Sequence, residues 1–196
     1  MTAQAGFSTR RMVLCAIMAA VICVIAPISV PIGPISITGA TFAIYLTVYL
    51  LGGVWGTVST LVYLLVGFAG LPVFSNYTGG AARLLGPTGG YLVGYLPLAL
   101  LAGFIVRWAF RRFGEKGWLT VGVQALGLAL GTAVLYAFGT AWYCVQAGVG
   151  LQKALAACVF PFIPFDLLKM AAALLVGVPV RRGLERAGLL FSREEK

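Results

Sequence analysis

The sequence has no histidine and only five acidic residues among 196. Charged residues of both signs make up 10% of the chain, against about 25% in an ordinary soluble domain. That is too little charge to cover a water-facing surface. The four cysteines, Cys15, Cys23, Cys144 and Cys158, form no C-x-x-C pair. Without histidine or paired cysteines the spacing of a metal site is missing, and the cysteines read as small apolar filler. No G-x-x-x-x-G-K-[ST] segment occurs, so the chain does not hydrolyse ATP through a phosphate loop. No cofactor is implied.

What is present is apolar residue and glycine. Hydrophobic residues reach 61%, mean hydropathy is +1.00, and there are 26 glycines. Small residues let membrane helices approach closely. The composition therefore reads as an all-α integral membrane protein in one domain, residues 1–196. The net charge of +9 is concentrated near helix ends, which membrane topology explains better than nucleic acid does. Met12 to Ala26 is apolar, but no small-x-small cleavage site follows, so it reads as a first membrane helix rather than a signal peptide.

A bilayer core takes about 20 apolar residues per helix. Six spans are expected, at roughly 12–28, 38–52, 54–70, 88–109, 119–143 and 157–180. The second is the shortest, and only Gly52-Gly53 separates it from the third. Arg10 and Arg11 precede the first span. Arg107, Arg111, Arg112 and Lys116 lie between the fourth and fifth. Arg181, Arg182, Arg186, Arg193 and Lys196 follow the sixth. Six spans put these three segments on one side, leaving Arg83 and Lys153 on the other. Basic residues collect in the cytoplasm, so both termini are expected there.

Two outer segments interrupt the apolar pattern. PISVPIGPISIT, residues 27–38, has three prolines and reads as stiff and non-helical. GLPVFSNYTGGAARLLGPTGG, residues 70–90, is too apolar for a solvated linker and reads as a lid over the bundle. It carries Asn76, Tyr77 and Arg83. Arg83 offers a fork that suits a carboxylate. Gly89 and Gly90 open the next helix, where backbone can approach a ligand closely and free N–H groups face an anion. Tyr91 and Tyr143 lie near outer helix ends, where aromatic belts are normal and pocket walls are an alternative.

PFIPFDLLKM, residues 161–170, holds Asp166 and Lys169 three apart inside an apolar run. They share a helix face. A bare charge at bilayer depth costs several kcal/mol, so such residues face a bundle interior or a cavity. An ion pair pinning two helices and a polar ligand site both account for them. Ala16-x-x-x-Ala20 on the first helix and Gly127-x-x-x-Gly131 on the fifth are faces suited to close packing.

The stretch PVFSNYTGGAARLLGPTGGYLVGY, together with PIGPISITGATF and PFIPFDLLK, resembles the BioY family, the biotin-specific S components of energy-coupling-factor transporters. With the six-helix plan the resemblance covers nearly the whole chain. It implies a non-enzymatic subunit that binds biotin from outside in a bacterial or archaeal cell membrane. It implies partnership with a membrane scaffold subunit and, through it, two ATP-binding-cassette ATPases, whose hydrolysis reorients the subunit. It places the substrate at Asp166, Lys169 and Thr41, with Arg83, Asn76, Tyr77, Gly89, Gly90, Tyr91 and Tyr143 around them, and scaffold docking at Ala16 and Ala20. Two positions depart from the family pattern: Phe165 stands where glycine is frequent, and Ala40 where glutamine is frequent. A solitary biotin transporter and an S component for another vitamin are the alternatives. A membrane enzyme is disfavoured, because Asp166 is the only acid inside a span.

Overall fold

The computed structural model describes residues 9–32, 35–114 and 117–188. Four helices are long and apolar enough to cross a membrane: Ala40–Phe68, Gly89–Phe113, Trp118–Ala147 and Ile163–Arg186. In chain order the elements are α1 (Thr9–Ile25), β1 (Ser29–Ile32), β2 (Ile35–Thr38), α2 (Ala40–Phe68), α3 (Ala81–Leu85), α4 (Gly89–Phe113), α5 (Trp118–Ala147), α6 (Leu151–Cys158) and α7 (Ile163–Arg186). A 3-10 turn, Ser75–Tyr77, precedes α3.

The expected boundary at Gly52-Gly53 is a break inside α2. Gly52 has φ 78° and ψ −171°, a conformation that side-chain-bearing residues rarely adopt. A Cβ at Gly56 would lie 2.9 Å from Val48 Cγ1. In a straight helix residues eight apart are separated by about 12 Å. The two halves of α2 therefore fold back on each other at Gly52. A Cβ at Gly53 would lie 3.0 Å from the Leu100 carbonyl oxygen, so α4 runs directly against the bend.

Three sequence expectations need correction. The chain is not all-α: the first outer segment is an antiparallel hairpin, with Ser29 opposite Thr38 and Pro31 opposite Ser36. The final span begins at Ile163, not near residue 157, because Pro161 and Pro164 interrupt the run and Pro164 falls in the first turn of α7. Residues 151–156, expected between the fifth and sixth spans, belong to α6, which ends at Cys158. The remaining basic residues expected near the helix ends, Lys116, Arg193 and Lys196, lie outside the described residues, as do Gly33 and Pro34 of the first outer segment.

A single buried cluster joins the helices, with Ile22, Ile44, Tyr45, Val48, Tyr63, Leu98, Val106 and Leu128 at 1% exposure or less. The fifth-helix glycines pack within the chain. Gly127 faces Ile105 and Gly131 faces Leu98 and Ala102 of α4. Gly139 receives the ring of Tyr91. Both outer segments cap the same end of the bundle. Phe74 is 1% exposed and meets Tyr63 edge-on at 5.6 Å.

Candidate functional site

Asp166 occupies the first turn of α7, at the positive end of that helix dipole. It is 4% exposed, and its carboxylate is held on both oxygens. Thr41 Oγ1 donates to Oδ1 at 3.1 Å and Tyr136 donates to Oδ2 at 2.6 Å. Lys169 Nζ reaches Oδ1 at 3.0 Å and Thr41 Oγ1 at 3.0 Å. Three elements thus converge: α2 brings Thr41, α5 brings Tyr136, and α7 brings the charged pair. A carboxylate has about four acceptor positions and an ammonium three N–H groups. Three of the former and two of the latter are engaged, so each partner keeps one direction for a ligand.

These residues line a crevice of about 360 Å³, its open mouth included. Its walls are Tyr91, Tyr95, Leu135, Phe162 and Cys158, and Ile35, Ser36 and Thr38 of the hairpin close it from above. A second space of about 540 Å³ adjoins it, sharing Ile35, Ser36, Thr38, Tyr91 and Tyr95. Arg83, Thr88, Phe74 and Ser75 of the second outer segment line its far part. Together they form a passage with a charged pair at one end, an aromatic middle and a guanidinium at the other.

Of the residues singled out in the sequence, Asp166, Lys169, Thr41 and Tyr91 meet in the first crevice, and Arg83 lines the second. Tyr91 and Tyr95 are buried, at 8% and 7% exposure. The Tyr91 hydroxyl lies 3.1 Å from Thr140 Oγ1 and donates to the Cys158 carbonyl at 3.4 Å. The other residues take different positions. Asn76 has φ 57° and fastens the two outer segments together. Its Nδ2 donates to Ser36 Oγ at 3.0 Å and its backbone N–H to Ser29 Oγ at 2.8 Å. Tyr77 is 68% exposed. Gly89 presses on the Leu84 carbonyl and Gly90 on Trp142, so both serve close packing at the start of α4. Tyr143 is half-buried against the core. Phe165 is 43% exposed and lines neither cavity. Ala40 lines the second cavity, and its N–H is taken by Thr38 Oγ1 at 3.2 Å. Ala16 and Ala20 lie on the exposed face of α1, while Cys15, Met18, Ala19 and Ile22 face inward.

Tyr136 was not foreseeable as a site residue by the same reasoning as Asp166. An aromatic residue inside an apolar span costs nothing by itself. Its one signal is position, since tyrosines in membrane helices favour the interfaces and this one lies inside α5.

A biotin transporter BioY of Thermotoga maritima is 36% identical over 174 residues, covering 88% of this chain and 96% of its own. One of Rhizobium etli is 35% identical, covering 90% of this chain and 95% of its own. The crystal structure of an S component for biotin from an ECF-type ABC transporter superposes with a TM-score of 0.81. It is 27% identical, over 93% of this chain and 95% of that one. The named relatives are transporters and not enzymes, and the long apolar helices make this chain a multi-pass membrane protein. A match to the BioY family spans residues 1–186, and the chain belongs to that family.

Proposed function

We propose that this protein captures biotin from outside the cell as the substrate-binding subunit of an ECF-type uptake transporter. The observation that carries the reading is the Asp166–Lys169–Thr41–Tyr136 network at one end of a passage lined by both outer segments. Biotin has a ureido ring with two N–H donors and one carbonyl, an apolar sulfur ring, an aliphatic tail and a carboxylate. The remaining acceptor direction of Asp166 suits a ureido N–H. The remaining donor of Lys169 suits the ureido carbonyl. Tyr91 and Tyr95 offer an apolar wall to the sulfur ring and tail. Arg83 then receives the carboxylate.

The wider assembly follows from the family. The chain crosses the cell membrane of a bacterium or archaeon six times, counting α1 and both halves of α2, with both termini cytoplasmic. Arg11, Arg107, Arg111 and Arg181 gather at the end away from the outer segments, which supports that orientation. The exposed Ala16 and Ala20 face of α1 docks on a scaffold subunit that carries two ATPases. ATP hydrolysis there reorients the loaded subunit.

Displacement of labelled biotin from the purified protein tests the ligand assignment. Desthiobiotin, which keeps the ureido ring and the carboxylate, is expected to compete. Biotin methyl ester, which lacks the carboxylate charge, is expected to compete more weakly, and thiamin not at all. Thiamin displacing as well as biotin would contradict the reading.

A further inference from the structure

The end of the bundle remote from Asp166 holds a separate polar cavity. It encloses about 500 Å³, its mouth included, among α2, α4 and α7. Arg107, Arg111 and Arg181 line it, with Tyr49, Phe110 and the backbone around Gly52. Arg181 lies 15 residues beyond Asp166 on α7, a rise of about 22 Å, so the two sites are separate.

Part of this charge has a structural use. The first half of α2 ends at Gly52, and its last carbonyls lose their helical partners. Arg181 Nη1 approaches the Tyr49 carbonyl at 3.4 Å, and its guanidinium stacks over Phe110 at 4.1 Å. Arg181 Nε also pairs with Glu185 at 2.9 Å. Arg107 and Arg111 remain. Asp166 and Glu185 are the acids among the described residues, and they pair with Lys169 and Arg181 respectively. Arg107 feels the like charges of Arg111, Arg11 and Arg181. Among the described residues, three guanidiniums around one cleft, with one carboxylate already committed, leave an excess of about two positive charges. Like charges held together in a partly buried cleft repel, and a counter-anion relieves them. Guanidinium forks match phosphate oxygens in two parallel hydrogen bonds.

We propose that this cavity binds a phosphate-bearing anion, with Arg107 and Arg111 as its principal ligands and Arg181 closing one side. The cleft lies at a helix end, where membrane phosphates lie, and an anionic lipid headgroup carries the required group. Free phosphate carries it too.

The test uses delipidated full-length protein in detergent, titrated with short-chain phosphatidylglycerol, short-chain phosphatidylcholine or inorganic phosphate. Thermal unfolding is the readout. Phosphatidylglycerol is expected to raise the melting temperature saturably, and zwitterionic phosphatidylcholine is not. Arg107→Gln with Arg111→Gln is expected to weaken the half-maximal concentration roughly tenfold to a hundredfold. Arg182→Gln, exposed and outside the cavity, is expected to leave it unchanged. A response to phosphatidylglycerol alone identifies a lipid as the source. A response to inorganic phosphate as well identifies the phosphate group itself, and both support the site. If the double variant does not elute as one species on gel filtration, the two single variants carry the same comparison. No response to either anion, an equal response to phosphatidylcholine, or an undiminished response in the arginine variants overturns the proposal.

Discussion

Asp166 and Lys169 are held in place by two neighbouring hydroxyls. Thr41 bridges them, and Tyr136 holds the carboxylate oxygen that the lysine does not reach. The short Tyr136 bond fixes the carboxylate plane, which decides where the remaining acceptor direction points. Tyr136→Phe keeps the ring and removes this bond. It is expected to weaken biotin binding by roughly threefold to tenfold, measured by calorimetry, because a bond to a charged group contributes about 1.5–3 kcal/mol and part is recovered by relaxation. Arg83→Gln is expected to weaken biotin but to leave the methyl ester unaffected, read in the same displacement assay. The charged pair was legible in the sequence because ionisable residues in an apolar run are costly and so are seldom incidental. Tyr136 was not, because a half-buried phenol among apolar neighbours leaves no mark on hydropathy. Asn76 was legible as a polar residue in a lid, but not its partners. Ser29 and Ser36 are 47 and 40 residues away, and only the fold brings them close.

At the scale of elements, the glycine positions carry most of the close packing. Gly139 admits the Tyr91 ring into the face of α5, and Tyr91 is a wall of the crevice. Gly139→Leu is expected to destabilise the fold by about 1–3 kcal/mol through overpacking and to distort the crevice wall. Reduced thermal stability together with weakened biotin binding would show that coupling. The two outer segments form a second coupled unit. Asn76→Ala removes the side-chain bond to Ser36 and is expected to accelerate biotin release more than it alters association, measured by ligand-exchange kinetics. The bend at Gly52 could be read from two adjacent glycines between apolar runs. The hairpin and α6 could not. Prolines at 31 and 34 predict a stiff segment without specifying its pairing. The sequence LQKALAAC is amphipathic but only two turns long, and the apolar run beyond it merges with α7 in any long window.

For the whole molecule, the proposed orientation and partner surface rest on which residues share an end or a face. Single cysteines at Tyr77 and Arg182, in a chain with its four native cysteines replaced, are expected to label from opposite sides of an intact membrane. Labelling from the same side would contradict the six-span plan. Ala16→Trp with Ala20→Trp places bulk on the exposed face of α1 and leaves the passage untouched. It is expected to abolish co-purification with the scaffold subunit and to preserve biotin binding. Basic residues at helix ends are the sequence signal behind this proposed orientation, because their distribution among loops is visible without any knowledge of packing.

Equilibrium binding of biotin to the purified subunit, beside Asp166→Asn and Lys169→Met, tests the central claim most directly. The account predicts tight one-to-one binding by the unaltered protein, weakened roughly tenfold to a hundredfold or more in each variant. Tight binding untouched by either substitution, or no binding by well-folded protein, would contradict it.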